Sequence, residues 1–367
     1  MDDFRHLTRF LCSRLPIRPS VRRAPEPATR TTGTRVLTRR DIAALMRPAD
    51  YRAAVERAFA AAAAGRGAAP PPMHLAGGGD GAFHVKGAGF GAGALTAGGR
   101  AYVAFKVNGN FPANPAARGL PTIQGAIVLC DGDDGSVLAL MDSIEVTLQR
   151  TAAATAVAAA RLARGDASVV TICGCGAQAY AQLEALKEVL PLASGFAWDR
   201  DFARAAALAR RARSLGLALT AVDDLLTATR QSDVIVTCTT ATAPFLHPHH
   251  VPPGAFVAAV GADNPSKSEI SPALMARAKV VPDVLAQCLA MGDLHHAVAA
   301  GAMSPACVHA ELGEIVAGAK PGRTDPLEIT IFDSTGTAIQ DVASAAVLYE
   351  RACRDGGGLT VDLGVDP

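Results

Sequence analysis

The chain has 367 residues, half of them hydrophobic and only 19% charged, which argues against disorder over most of its length and leaves apolar material for two domains or more. Its 35 Lys and Arg nearly cancel its 34 Asp and Glu, so a broad basic surface for nucleic acid is absent, and 5% aromatics with one Trp supply no base-stacking platform. Eight scattered cysteines, only Cys173 and Cys175 close together, make no disulfide framework for a chain of this size and point to a reducing compartment, the cytoplasm.

Residues 1–40 carry ten Arg against two Asp and one Glu and lack the continuous apolar run of a secretory signal, so residues 1–34 read as a disordered extension. Order begins near Val36. Thr38 reads as the N-cap of a short helix, and Tyr51 to Ala64 as a second, Ala-rich one. Residues 66–82, rich in Gly and Pro, read as a loop. Strand-like runs follow at 82–86, 101–107 and 125–130, with the turn AspGlyAspAspGly at 131–135 and another strand after it.

The texture changes at Ile144, where a long Ala-rich helical run begins. Strand patterns at 168–174, 195–199, 234–239, 256–261, 279–283 and 328–333 alternate with helices, and a last helix covers Thr337 to Cys353. This alternation predicts a doubly wound α/β fold, a parallel sheet with helices on both faces. The longest uncharged stretch, Val234 to Ala262, is broken by four prolines and three His and reads as no membrane span.

Gly174, Gly176 and Ala179 form a GxGxxA sequence between a buried strand and a helix. Small residues there let a pyrophosphate approach the backbone, and the helix N-terminus offers free N–H groups. Asp199, at the end of the next strand, is placed to accept the ribose hydroxyls of NAD, while Arg200 and Arg204 keep NADP open. Lys106 lies in a largely apolar strand, where its ammonium needs either an internal salt bridge or an anionic ligand. Arg150, near the start of the Ala-rich helix, suits a carboxylate or a phosphate, or else an exposed helix position. Asp263 follows an apolar strand whose carboxyl end is where open α/β sheets bind ligands. It is placed for acid/base work, or else caps an AsnPro turn. His247, His249, His250, His295 and His296 lack metal-ligand spacing, so no metal is expected.

Taken together, PheLysValAsnGlyAsnPheProAlaAsn (105–114), GlyLeuProThr (119–122), GlnArgThrAlaAlaAla (149–154), the GlyCysGlyAlaGln loop, GlyAlaAspAsnProSerLysSerGlu (261–269) and PheAspSerThrGlyThrAlaIleGlnAsp (332–341) resemble the ornithine cyclodeaminase/mu-crystallin family over roughly residues 36–365. The resemblance implies a homodimer. It implies a discontinuous α+β domain for substrate binding and dimerisation (35–145 with 335–367) and a Rossmann-type domain (146–334). Lys106 would hold the substrate carboxylate and count with Asp263 among the catalytic groups, and Arg150 would lie near both carboxylate and cofactor. Thr122, Gly174, Gly176, Ala177, Gln178, Asp199, Thr239, Val260, Lys267 and Ser334 would line NAD or NADP.

The implied activity is hydride transfer at the α-carbon of a small amino or imino acid. Cyclodeamination of ornithine, or cofactor-dependent binding without catalysis, are the alternatives. Two departures stand out. His84 occupies the place of a carboxylate in the family's cyclodeaminases, and Met73 or His74 that of an upstream Arg. Lys86, on the same strand face as His84, is a candidate replacement cation.

Overall fold

The computed structural model describes residues 33–363; the N-terminal 32 residues, most of the expected extension, lie outside it. The first of two sheets is made of β1 (Thr34–Leu37), β2 (Gly67–Ala68), β3 (Met73–Ala76), β4 (Ala82–Phe90), β5 (Tyr102–Asn110), β6 (Ile123–Asp131) and β7 (Val137–Asp142). The second is made of β8 (Val169–Cys173), β9 (Ser194–Trp198), β10 (Ala218–Val222), β11 (Val234–Thr237), β12 (Phe256–Ala259), β13 (Lys279–Pro282) and β14 (Thr330–Asp333). The chain then returns to the first sheet as β15 (Leu359–Val361), which pairs with β1.

The first sheet runs β15-β1-β7-β6-β5-β4-β2, with β3 also on β4, and is antiparallel apart from the parallel β1–β7 pair. The second runs β10-β9-β8-β11-β12-β14-β13 and every pairing is parallel. Its order reverses at β8, which places a crevice at the carboxyl ends of β8 and β11. Four-residue strands such as β11, β12 and β14, buried throughout, are what a sheet covered on both faces requires.

The Ser143–Leu162 helix joins the two sheets. Asp142 ends β7 and caps the helix by accepting from the N–H groups of Ile144 and Glu145 at 3.0 Å. Its run of buried alanines lets the Pro48–Ala63, Ala177–Lys187 and Ala338–Asp355 helices pack closely against it. The Thr38 cap is present, as a capping box with Asp41.

One sequence reading is corrected. Residues 66–82 are not all loop, because β2 and β3 lie there, both paired with β4. β3 is four residues between Pro70–Pro72 and Gly77–Gly79, too short for its alternation to show. Its neighbour supplies the pairing that local pattern does not. Among the described residues no helix is long and apolar enough to cross a membrane.

Candidate active site

β3, β4 and β5 alternate strictly. Directly opposed residues of antiparallel strands share a face, so His74, His84 and Asn108 form one row and Lys86 and Lys106 the next. The other face carries Met73, Val85 and Val107 in one row, with Leu75, Phe83 and Phe105 beside it. The polar face looks into a cleft of about 240 Å³. Its other walls are Thr147, Arg150 and Thr151 on one face of the Ser143–Leu162 helix, Gln178, and the segments that follow β11, β12 and β14. The cleft therefore sits where the first sheet meets the carboxyl edge of the parallel one.

Lys106 and Arg150 are each 4% exposed and share one carboxylate, that of Asp341 in the first turn of the Ala338–Asp355 helix. Lys106 Nζ donates to its Oδ1 at 2.8 Å and lies 2.7 Å from Oδ2 in an ion pair, and Arg150 Nε donates to Oδ1 at 3.0 Å; Arg150 also donates to Gln340 Oε1 at 2.7 Å. Burial, with Arg150 beside it, brings the Lys106 ammonium down to about 7 against the pull of Asp341. Burial pushes the Asp341 carboxyl up, but Lys106 and Arg150 outweigh it and hold it below the ordinary range. Lys106 thus has the internal salt bridge and also faces the cleft, so its two alternatives coexist. Lys86 donates to the carbonyls of Thr335 at 3.3 Å and Gly336 at 2.6 Å.

Across the cleft, Asp263 is half exposed, with Lys267 Nζ donating to it at 2.6 Å. Burial raises its pKa, but Lys267, Lys86 and His84 together take it below the usual value. His84 lines the cleft with its ring edge-on to His74 at 4.7 Å. Burial first, then His74, lowers its pKa.

The GxGxxA loop has the geometry a dinucleotide needs. Gly174 has φ +94°, and a Cβ there would stand 2.8 Å from the Cys238 carbonyl oxygen, so a side chain is excluded twice over. A Cβ on Gly176 would meet nothing within 4 Å, which leaves open space against the N-terminus of the Ala177–Lys187 helix. Ser334 Oγ is buried without a hydrogen-bond partner beside the cleft. Strand β9 stops at Trp198, one residue before its expected end, so Asp199 directly follows the strand. Its carboxylate accepts from the Cys175 N–H at 2.7 Å and the Asp201 N–H at 2.9 Å.

Of the expected residues, His84, Lys86, Lys106, Arg150, Gln178, Thr239, Val260, Asp263, Lys267 and Ser334 line this one cleft. Gly174, Gly176, Ala177 and Asp199 lie at the adjoining loop, and Thr122 stands one residue before the cleft residue Ile123.

Sequence reasoning missed three carboxylates. Asp341 is the first. Glu269 accepts from Thr237 Oγ1, Thr239 N, Thr239 Oγ1 and Gly261 N, all at 2.7–2.8 Å, and so fixes the ends of β11 and β12; burial, then Asp293, raises it to about 7. Asp283 accepts from Thr335 Oγ1 and Gly336 N at 3.0 and 2.8 Å. Only Asp283 carried a local signal, an acid just beyond the apolar run of β13, where a specific set of donors makes burial tolerable.

The ornithine cyclodeaminase/mu-crystallin family model matches residues 32–356. The chain belongs to this family. The iminosuccinate reductase of Paracoccus denitrificans is 36% identical over 329 residues, which are 89% of this chain and 99% of that one. Among solved structures, an archaeal alanine dehydrogenase dimer with bound NAD superposes with a TM-score of 0.84 at 36% identity, covering 89% of this chain and 98% of that one. The Δ1-pyrroline-2-carboxylate reductase of Thermococcus litoralis, in complex with NADH and L-proline, gives 0.83 at 30% identity, covering 89% and 100%. Within the ornithine cyclodeaminase/mu-crystallin family, then, solved relatives with bound dinucleotide share this chain's two-sheet architecture.

Proposed function

We propose that the protein is an NAD(P)-dependent oxidoreductase that acts at the C–N bond of a small α-imino or α-amino acid. The observation that carries this is the meeting of two sets of groups in one cleft. Lys106 and Arg150 are anchored by Asp341, and Asp263 is paired with Lys267 beside the glycine loop. The cationic pair holds the substrate carboxylate, which fixes the α-carbon and its nitrogen in one orientation. Asp263, ionised and close to Lys267, takes a proton from the substrate nitrogen and, once it carries that proton, returns it in the reverse direction. Gly174, Gly176, Ala177 and Gln178 receive the dinucleotide phosphates, Asp199 the ribose hydroxyls, and Thr239, Val260 and Ser334 the nicotinamide end. Bound there, the nicotinamide supplies the hydride acceptor or donor.

Residues 35–145 with 335–367 then serve as the substrate-binding and dimerisation domain and 146–334 as the dinucleotide-binding one. The return of β15 to the first sheet supports this division. Met73, Leu75 and Phe105, 56%, 53% and 47% exposed on the face away from the cleft, give that domain an apolar surface that a second copy covers. No nucleic acid or membrane takes part, and the site of action is the cytoplasm.

The deciding experiment gives the purified protein NADH and a cyclic imine carboxylate and follows the near-ultraviolet absorbance. Its loss, with the cyclic amino acid formed by a dimer in sedimentation, is the expected result. No loss with cyclic or acyclic imino acids, together with ammonia release from L-ornithine under catalytic NAD, overturns it in favour of cyclodeamination. Asp199→Ala raises the KM for NADH about tenfold and that for NADPH much less; an unchanged ratio removes Asp199 from the ribose site.

A further inference from the structure

Residues 334–337 carry the chain from β14, in the parallel sheet, into the Ala338–Asp355 helix, which packs on β4 and β5 of the first sheet. One peptide of this link, between Thr335 and Gly336, is gripped at both ends. Its carbonyl, that of Thr335, accepts from Lys86 Nζ at 3.3 Å, and its N–H, that of Gly336, donates to Asp283 Oδ2 at 2.8 Å. A trans peptide points these two groups in opposite directions, so the ammonium on β4 and the carboxylate after β13 stand at opposite edges of one dipole. The grip is reinforced. Lys86 also donates to the Gly336 carbonyl at 2.6 Å, and Asp283 also accepts from Thr335 Oγ1. Gln287 Nε2 donates to Thr335 Oγ1 and to the Gly336 carbonyl, at 2.8 and 3.0 Å.

Asp283 is 1% exposed, and its donors are N–H groups, a hydroxyl and a thiol, none of them charged. Lys86, across the peptide, supplies the opposite charge. Burial, then Arg150, lowers the Lys86 ammonium, and Asp263, Asp341 and Asp283 draw it back up. The link so held carries two parts of the site. Ser334 lines the cleft, and Asp341, in the first turn of the helix that follows, anchors Lys106 and Arg150. Arg150 itself lies against the link, because a Cβ on Gly336 would stand 2.8 Å from its Nη1. We infer that Lys86 is a positioning residue and not a substrate ligand: with Asp283 it clamps the Thr335–Gly336 peptide and so fixes the distance between the dinucleotide wall of the cleft and the Lys106–Arg150 anchor. The sequence offered Lys86 as a cation for the substrate; its ammonium is committed to the link instead. The hydride crosses that distance, and for this step alone the inference rests on the oxidoreductase reading.

Two measurements on the full chain test it. The first is amide hydrogen exchange. Lys86→Met removes the donors to two carbonyls and touches no N–H, yet it speeds exchange of the Gly336 amide about tenfold while the amides of β12 keep their rates. Asp283→Asn does the same from the other edge. An unchanged Gly336 rate in both variants, or an equal acceleration at Gly336 and in β12, overturns the clamp. The second is turnover of a cyclic imine carboxylate with NADH. Lys86→Met lowers kcat about 10–100-fold, keeps the KM for the imine within about threefold, and raises the primary isotope effect seen with deuterated NADH. Lys86→Arg, which keeps the charge and the donors, recovers most of kcat. A KM raised about tenfold or more with kcat retained makes Lys86 a substrate ligand and overturns the inference. Faster Gly336 exchange in the variants of a protein that turns over no imino or amino acid refutes the oxidoreductase reading and leaves the clamp standing. Turnover by the wild type with Gly336 exchange unmoved in both variants does the reverse.

Discussion

Asp263→Asn lowers kcat/KM for imine reduction by roughly 10²–10⁴-fold, while the dissociation constant for NADH stays within about twofold. The asymmetry follows from position. Asp263 lies on the segment after β12, half open to the cleft, and its carboxylate is held ionised by Lys267 at 2.6 Å. The amide that replaces it keeps the size and accepts from Lys267 through its oxygen, so the loop retains its shape. What is lost is a group that takes and returns a proton at the substrate nitrogen. Steady-state rates with NADH fluorescence titrations separate the two effects. Turnover within threefold of wild type removes Asp263 as the acid/base group, and an equal loss of NADH affinity makes it a cofactor ligand instead.

The second large effect falls on stability. Asp341→Ala costs about 3–5 kcal/mol of unfolding free energy, because it leaves the Lys106 ammonium and the Arg150 guanidinium buried together without a shared carboxylate. The loss carries a pH signature. In the wild type Lys106 is already down at about 7, and removal of Asp341, which supports its charge, takes it lower. The unfolded chain keeps this proton up to the ordinary lysine value in both proteins. Below its folded pKa each protein gains nothing from rising pH; above it each gains, because the unfolded state then binds more protons. The variant begins to gain at lower pH, so its deficit is widest near pH 5 and narrows toward pH 7, beyond which the two curves run parallel. Urea melts at pH 5, 6, 7 and 8 measure this. A deficit independent of pH over that range assigns the loss to helix packing and not to unpaired charge.

What was legible in the sequence is what short-range pattern encodes. The second sheet announced itself through buried β-branched runs such as Val234–Thr237 and through helices of regular spacing, and the glycine loop through a strand, a turn and a helix in order. β3 escaped because four residues carry too little alternation, and its existence depends on β4. Asp341 escaped for a different reason. Its partners Lys106 and Arg150 are 235 and 191 residues away in the chain, so nothing near Asp341 marks it as other than a helix carboxylate. Lys106 was conspicuous because a strand made its charge anomalous, whereas Asp341 sits in the first turn of a helix, where an acid is ordinary. Glu269 was visible at the end of GlyAlaAspAsnProSerLysSerGlu, but its task, holding the ends of two strands through four donors, appears only once those strands lie side by side.

The alternation of β3, β4 and β5 has an evolutionary consequence. The cleft takes its side chains from even-numbered positions of these strands, 84, 86, 106, 108 and 110, and the outward apolar face from odd-numbered ones, 73, 75, 83, 85, 105 and 107. One length of backbone carries two independent alphabets. Point substitutions at even positions can retune what the protein recognises without rewriting the surface behind it, and odd positions can drift without touching chemistry. Insertion of a single residue exchanges the two alphabets at once. Lineages descended from such a chain are therefore free to diversify in substrate by substitution, while the length of these strands stays fixed.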